Sequence, residues 1–301
     1  MISFILIVLV SIVFSGVIIR TKSLASGRKG PGILQPMKDI VRLWRKGAVY
    51  SKTTSFVFQI APSIYFASLI MAALLVPFGG EKGILSFQGD FVMFAYVLAL
   101  GKFMMIISSL DTGSSFEGMG ASREALYSML TEPAFFILMG SFALFTGQSS
   151  FADIFNNLHL RSENAYMIGI LAAFVLMFIA MIENSRMPID DPKTHLELTM
   201  IHEVMILDNS GFDLGLILYS AQLKFAIYGA LIANFFITSM PFTIAIPIFL
   251  GIQVLFAFII GLFESFMARF RMNHNPQFVF ILTSVAMLIF LGVLLVLGKL
   301  I

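Results

Sequence analysis

The chain has 301 residues, of which 58% are hydrophobic and only 12% are charged, and it contains no cysteine. Because soluble domains carry about 25% charged residues, this composition excludes a soluble protein and indicates a polytopic membrane protein. The net charge of +2 and the scattered basic residues argue against nucleic-acid binding, and the absence of cysteine excludes disulfides and thiolate-bound zinc or iron–sulfur clusters.

Eight apolar runs are long enough to cross about 30 Å of hydrocarbon. They cover residues 2–19, 56–77, 91–109, 126–147, 165–183, 218–239, 242–263 and 277–298. No basic segment precedes the first run, so we expect a span there and not a signal peptide. We therefore predict an all-α integral membrane protein with about eight transmembrane helices in a single membrane domain, residues 1–301. Pro133 interrupts the fourth run, so we expect its first turns at the membrane interface.

The distribution of lysine and arginine predicts the orientation. The connection between the first two runs holds nine basic residues, and placing it in the cytoplasm puts 14 of the 19 basic residues inside. Both termini then face outward from the cell's inner, cytoplasmic membrane. Residues 33–46 place apolar and basic side chains on opposite helical faces, which predicts an amphipathic helix on the inner surface. A plain basic loop is the alternative.

The connection that follows Glu183 and runs to Asp208 concentrates carboxylates, together with His195 and His202, beside a membrane boundary. Neighbouring carboxylates raise one another's pKa toward neutrality, and histidine titrates there already, so such a segment can relay protons. A solvated loop whose charges pair with one another is the alternative. His195, His202 and Glu203 match no metal-binding spacing, so we expect no metal site.

A second polar constellation runs from Asp111 to Glu132 and surrounds Arg123 with carboxylates. It suits either ion conduction by the acids as a group or a structural pairing of Arg123 at a helix start. Lys102 and Lys224 lie within predicted spans, where a charge costs at least about 2.5 kcal/mol without a counter-ion. Glu132 and Glu183 are predicted partners for these lysines, and for Lys224 snorkelling to the inner boundary is the alternative.

Four segments together resemble one known family. They are Arg28 to Pro36 with the following amphipathic stretch, Leu110 to Glu124, Glu183-Asn184-Ser185-Arg186-Met187-Pro188-Ile189-Asp190, and Glu264 to Arg271. The sequence resembles the membrane subunit shared by respiratory complex I, where it is subunit 1, and the energy-converting [NiFe] hydrogenases, where it is subunit 4 of formate hydrogenlyase. Lys193, Thr194 and His195 replace the acidic run usual in complex I, which favours the hydrogenase branch.

The resemblance implies a non-catalytic subunit that anchors a soluble electron-transfer arm and begins an ion path. It implies as partners a hydrogenase-like large subunit, iron–sulfur small subunits and antiporter-like membrane subunits. This chain is expected to hold no cofactor, with the [NiFe] centre and the iron–sulfur clusters in those partners. The predicted ion path comprises Glu132, Glu183, Glu117, Glu124, Asp111, Glu197, Glu203, His202, Lys102 and Lys224. The predicted arm-docking residues are Arg28, Arg123, Arg186, Asp190, Asp191, Arg269 and Arg271.

Three other functions remain open from the sequence. A quinone-site subunit of a complex I relative would keep the same architecture, and bound quinone in the purified complex would identify it. A scaffold that moves no charge would tolerate replacement of the intramembrane acids by amides. A stand-alone secondary transporter is disfavoured because we find no inverted repeat or pair of interrupted helices.

Overall fold

The computed structural model describes residues 2–161, 165–190, 200–237 and 240–297. Eleven α-helices lie within these residues. They are α1 (Ile2–Ala25), α2 (Gln35–Trp44), α3 (Phe56–Leu75), α4 (Asp90–Asp111), α5 (Ser115–Thr146), α6 (Phe151–Arg161), α7 (Ala165–Glu183), α8 (His202–Met205), α9 (Gly211–Asn234), α10 (Phe242–Phe266) and α11 (Asn275–Val296). A 3₁₀ turn, Met272–His274, precedes α11.

The predicted all-α membrane architecture is confirmed. Among the described residues, seven helical segments are long and apolar enough to cross a bilayer, namely α1, α3, α4, α5, α9, α10 and the Met272–Val296 segment that contains α11. The remaining predicted span corresponds to the 19-residue α7, whose Ile168–Glu183 part is a shorter apolar helix. The chain is therefore a multi-pass membrane protein.

Two helices begin earlier than the hydropathy predicted. α5 starts at Ser115 instead of residue 126, and it continues through Pro133 for 32 residues, about 48 Å. α9 starts at Gly211 instead of residue 218. The first one or two turns of each helix are polar, so an assignment based on hydropathy places them in the preceding connection. As a result, Glu124 lies on a membrane-spanning helix and not on an inner loop.

The connection between α5 and α7 contains the short helix α6. The apolar side of this helix, which includes Phe151, Ile154 and Phe155, is buried. The start of α6 is fixed by Asp90, whose fully buried carboxylate accepts hydrogen bonds from the backbone N–H of Phe151 at 2.7 Å and from Ser150 at 3.0 Å. Asp90 thereby joins the start of α4 to the start of α6.

α9 is the central helix of the bundle. It packs against α1, α3, α2, α7 and α10, and 89% of its most apolar 18-residue window is buried. α3 and α4 pack closely beside it. At Gly101 of α4, a Cβ atom would collide with the hydroxyl of Ser68 on α3. This close approach holds the neighbouring Lys102 within the bundle.

The amphipathic helix predicted for residues 33–46 is present as α2, and we call the side of the bundle that carries it the inner side. Its Ile40 is buried, and the Trp44 ring meets Tyr219 of α9 edge to face at 5.5 Å. The connection that follows α2 is tied to the start of α9, since the Tyr50 hydroxyl donates to Asp213 at 2.7 Å. This bond raises the pKa of Tyr50 to about 12, with burial and the Asp213 charge adding to the effect. α2 is thus fixed to the central helix of the bundle.

Candidate functional site

Lys102 lies between two carboxylates in the middle of the bundle. Its Nζ is 3.0 Å from Oε1 of Glu124 on α5 and 2.9 Å from Oε2 of Glu183 at the end of α7. The three side chains are 5–10% exposed. Glu183 is the partner that the sequence predicted for Lys102, whereas Glu124 is an additional partner that the sequence did not indicate. The ammonium group of Lys102 therefore joins three helices through two charge-assisted contacts.

Lys224 of α9 extends this arrangement. Its Nζ donates to the backbone carbonyl of Glu183 at 3.0 Å and lies 3.6 Å from the Oε2 atom of the same residue. The ammonium group also faces the Tyr65 ring at 5.3 Å from the centroid. Because the side chain is 2% exposed, Lys224 does not snorkel to the boundary. We call Lys102, Glu124, Glu183 and Lys224 the central charge cluster.

Ser185 connects the central charge cluster to the inner side. Its hydroxyl donates to Oε2 of Glu124 at 2.8 Å, and the residue is 3% exposed. It directly follows α7, in a backbone conformation with φ of +47°. The sequence had not indicated Ser185, since an isolated serine at a helix end usually serves as a cap or turn residue.

Glu132 lies on the opposite side of the central charge cluster. It lines a small cavity of about 30 Å³ together with Lys102, Glu183 and Tyr228. A cavity of this size has room for water. Among the described residues, Glu132 is not an ion-pair partner of either lysine, although it was predicted as one. The side chain is exposed between α4 and α5, near the middle of the 32-residue α5.

Three residues predicted for the ion path or for docking bind the inner connections. Asp111 accepts from the Ser55 backbone N–H at 2.7 Å, and the buried Glu117 accepts from the Asp208 N–H at 2.9 Å. Arg123 donates to the Met200 carbonyl at 3.0 Å. These contacts hold the connections that follow α2 and α7 against α4 and α5. They do not extend the central charge cluster.

Asp190 and Arg186, both predicted to face a docked arm, are turned into the chain. Asp190 is fully buried, accepts from the backbone N–H groups of Ile201 and His202, and pairs with Arg269 at 3.0 Å. The Asp190 carboxylate thus binds groups of its own chain, and its role in arm docking stays a prediction.

Glu264 joins two cations at the inner boundary. Its Oε1 lies 2.9 Å from Nε of Arg186, and its Oε2 accepts from Lys22 at 2.8 Å. The contact between Arg186 Nε and Glu264 Oε1 is an ion pair without hydrogen-bond geometry. The guanidinium also stacks 5.7 Å from the centroid of the Phe225 ring. Glu264 lies in one of the four segments that carry the family resemblance, and the structure makes it the counter-ion of Arg186.

Four other predicted residues divide into two groups. Arg28 and Arg271 are exposed on the inner side, as a docking contact would require. Asp191 and Glu197 lie outside the described residues, as does His195. Within the described part of the chain there is no group of three or more histidine, aspartate or glutamate side chains that could hold a metal ion.

An inner cavity of about 350 Å³ lies between α1, α2, α8 and α9. Pro31 and Asp39 at its rim are exposed, so the cavity is open to the surface. Its polar part is formed by Asn184, Ser185, Arg186, His202, Glu203 and Gln222, and its apolar part by Ile19, Pro36, Ile40, Leu218, Ala221 and Phe225. The amide oxygens of Asn184 and Gln222 are buried without a partner in the described chain and are available to water or to a polar ligand.

The comparison with known sequences establishes the family. The NADH dehydrogenase profile matches residues 1–296. The chain belongs to the NADH dehydrogenase family. Formate hydrogenlyase subunit 4 of Escherichia coli K12 is 27% identical over 288 residues, 93% of each chain. Hydrogenase-4 component C of the same organism is 29% identical over 224 residues, 74% of this chain and 70% of its own length.

Other relatives of this NADH dehydrogenase family member agree with the fold. A subunit of the NADH-quinone oxidoreductase of Thermomicrobium roseum is 26% identical over 70% of this chain and 66% of its own length. A chain in the structure of the membrane-bound sulfane sulfur reductase, an archaeal respiratory membrane complex, superposes with a TM-score of 0.80 over 96% of each chain at 16% identity. At that identity the likeness concerns the fold alone. The family resemblance predicted from the sequence is confirmed.

We expect His202 to make the stability of this family member depend on pH. Burial lowers the pKa of His202 to about 4, with Lys224 and Lys102 acting in the same direction and Glu124 opposing them. The unfolded chain binds the proton near pH 6.5. The contribution of neutral His202 to the free energy of unfolding is therefore fully present above pH 6.5. It is lost as the pH falls toward 4, because only the unfolded state gains the proton in that range.

We expect His202→Gln to flatten this dependence, so that the melting temperature of the detergent-solubilised protein changes less between pH 6.5 and pH 4. His274→Gln is the matched control, since His274 is exposed and its ring bonds to the nearby Gln277. An equal acid-induced loss of melting temperature in wild type and His202→Gln would contradict the assignment.

Asp190→Asn is expected to loosen the inner connection. The change keeps the shape but removes the negative charge with which Arg269 pairs, and breaking a largely buried pair costs on the order of 3 kcal/mol. The melting temperature should fall, and hydrogen exchange should rise at the backbone N–H groups of Ile201 and His202. Arg271→Gln, at an exposed position, should change neither quantity. Wild-type exchange in Asp190→Asn would show that the carboxylate does not hold this connection.

Proposed function

We propose that this chain is the ion-translocating, arm-anchoring membrane subunit of a group 4 [NiFe]-hydrogenase or formate-hydrogenlyase type complex. In this role it couples electron transfer in a soluble arm to H⁺ or Na⁺ movement across the cytoplasmic membrane. The similarity to formate hydrogenlyase subunit 4 along 93% of both chains supports the hydrogenase branch. The excess of basic residues on the side of α2 supports an orientation with that side in the cytoplasm and both termini outside.

The observation that carries this proposal is a continuous series of polar contacts through the bundle. It begins at the inner cavity with Ser185 and passes through Glu124, Lys102 and Glu183. It ends at the small cavity that Glu132 lines. Buried charges in a membrane are costly and usually mark ion paths or proton relays. A scaffold that only holds helices together needs no such series.

The exposed Glu132 indicates where a second membrane protein would attach. It lies on the lateral face of α4 and α5 among exposed apolar side chains such as Tyr96, Phe103 and Met129. A carboxylate near the middle of a span is unfavourable against lipid, so we infer that a partner's helices cover it. Antiporter-like membrane subunits are the partners that we propose for this face, and they would continue the ion path.

The inner surface is the side that we propose for the soluble arm. Arg28 and Arg271 are exposed there, and Asp190, Arg186 and Glu264 shape the connections behind them. The arm would comprise a hydrogenase-like large subunit and iron–sulfur small subunits. Because this chain has no cysteine, we propose that the [NiFe] centre and the clusters lie in those partners. Charge reversal at Arg186 should weaken attachment of the arm by disturbing this surface.

The inner cavity supports a second candidate function, a quinone-site subunit. Its apolar residues suit a ring and an isoprenoid chain, while His202 and Arg186 could bind carbonyl oxygens. The 26% identity to the NADH-quinone oxidoreductase subunit of Thermomicrobium roseum is compatible with it. Quinone retained by the purified complex, together with electron transfer that depends on added quinone, would favour this function over the first.

Glu132→Gln tests the proposed ion path at its lateral end. The change keeps the shape of the side chain and removes its charge, so the complex should assemble while gradient formation falls strongly. The measurement is the ion gradient in sealed vesicles during hydrogen evolution, with the co-purifying subunits identified. The exposed Glu81, in the connection that follows α3, provides a control, Glu81→Gln. A normal gradient in Glu132→Gln would make this carboxylate structural.

A further inference from the structure

α7 ends in a hydrogen-bonded turn that normally places glycine at the position of Ser185. The Ser185 N–H donates to the Ile182 carbonyl at 2.9 Å, and the Arg186 N–H donates to the Met181 carbonyl at 2.8 Å. These two bonds form a Schellman motif, in which the residue at the position of Ser185 has a left-handed backbone. The φ of Ser185 is +47°. Glycine adopts this conformation without steric cost, whereas serine does not.

The serine side chain makes one contact that glycine could not provide. Its hydroxyl donates to Oε2 of Glu124, whose other oxygen pairs with Lys102. At the same time Ser185 lines the inner cavity, whose rim is exposed. The residue thus has the cavity on one side and the central charge cluster on the other. Its hydroxyl supplies a direct hydrogen bond between these two features.

We propose that the Ser185 hydroxyl is the proton entry from the inner cavity to Glu124. This inference rests on the proposed function and makes H⁺ the ion that enters here. One feature favours H⁺ over Na⁺. Hard cations such as Ca²⁺ and Mg²⁺ are held by several oxygen ligands, whereas the carboxylates of Glu124 and Glu183 are already paired with the ammonium group of Lys102, at 3.0 Å and 2.9 Å.

The Ser185 hydroxyl gives one proton to Glu124 and takes up another from the side of the cavity. A hydroxyl has one donor hydrogen and two acceptor lone pairs. The Ser185 O–H bond breaks as its proton passes to Oε2 of Glu124, and a new O–H bond forms with a proton from a hydronium ion of the aqueous phase entering the cavity. The hydronium ion leaves as water. The serine is unchanged after its hydroxyl rotates back. Glu124 is left protonated, with its contact to Lys102 weakened.

Two substitutions distinguish the effect of the Ser185 hydroxyl from the effect of its backbone conformation. Ser185→Gly relieves the left-handed backbone and removes the hydroxyl, so the assembled complex should keep or raise its melting temperature and lose gradient formation. Ser185→Thr keeps the hydroxyl and adds a β-branch that disfavours this backbone. Its melting temperature should fall, while the gradient formed per electron transferred should be retained.

The complex is tested in sealed vesicles, with Glu124→Gln measured in parallel. The inference predicts that Ser185→Gly matches Glu124→Gln in gradient formation, and that the infrared carboxylate band lost in Glu124→Gln is shifted in Ser185→Gly. A full gradient in Ser185→Gly with none in Glu124→Gln would overturn the role of Ser185 and leave the proposed function intact. A full gradient in Glu124→Gln would overturn the proposed function itself.

Discussion

Vesicles that contain the Glu183→Gln complex are expected to form no ion gradient during electron transfer. The Glu183 carboxylate is the only one in the described chain that pairs with both buried lysines, at 2.9 Å from Lys102 and 3.6 Å from Lys224. Glutamine preserves the shape but cannot carry a titratable charge. The only titratable carboxylate that links the two buried lysines in the described chain is then missing from the series, so the loss should be nearly complete.

The same substitution should also lower the melting temperature of the complex. Lys224 would retain the backbone carbonyl of Glu183 at 3.0 Å as its hydrogen-bond acceptor, but no carboxylate. Removing one partner of a buried ion pair costs about 3–5 kcal/mol. Electron transfer should slow if it is tightly coupled to ion movement and continue if the coupling is loose. A normal gradient in assembled Glu183→Gln complexes would contradict an ion-carrying role.

Lys102→Met is expected to have the larger effect on folding. Methionine has a similar unbranched shape, but it removes the positive charge between Glu124 and Glu183. Two buried carboxylates would then face each other, and one of them must take up a proton or separate from the other. We expect a loss of about 3–5 kcal/mol in stability, measured as reduced yield and a lower melting temperature, together with loss of the gradient.

A double substitution tests this explanation. In Lys102→Met/Glu124→Gln the charge on α5 is also removed, while Glu183 keeps Lys224 as its partner. The melting temperature should recover in part, because coupled residues show non-additive effects of about 0.5–3 kcal/mol. Gradient formation should remain absent, since two members of the series are missing. Additive losses of stability would show that Lys102 and Glu124 do not interact as described.

The sequence predicted the membrane spans well because lipid contact imposes a strong apolar signal. It also singled out Lys102, Lys224 and Glu183, since charges are rare in spans. It misplaced Glu124, because the polar first turns of α5 read as a loop although neighbouring helices bury them. Hydropathy responds to composition and cannot distinguish burial in protein from exposure to water.

Residues that act through distant contacts could not be predicted. Asp190 meets Arg269, and Glu264 meets Arg186 and Lys22, through helix packing that no local pattern encodes. The sequence contains only a weak indication of Ser185. The residue directly follows an apolar helix, at a position where glycine is common. Only the fold shows that its hydroxyl reaches Glu124. Such residues become visible once helix register is known.

The central position of α9 has a consequence for biogenesis. This helix carries Asp213, Gln222 and Lys224, so it partitions poorly from the translocon into bare lipid as a solitary segment. Glu183, at the end of the preceding span, can neutralise Lys224 as soon as both segments reach the bilayer. We therefore expect α7 and α9 to leave the translocon and enter the bilayer together as a helical pair. The insertion of one helix then depends on the insertion of the other.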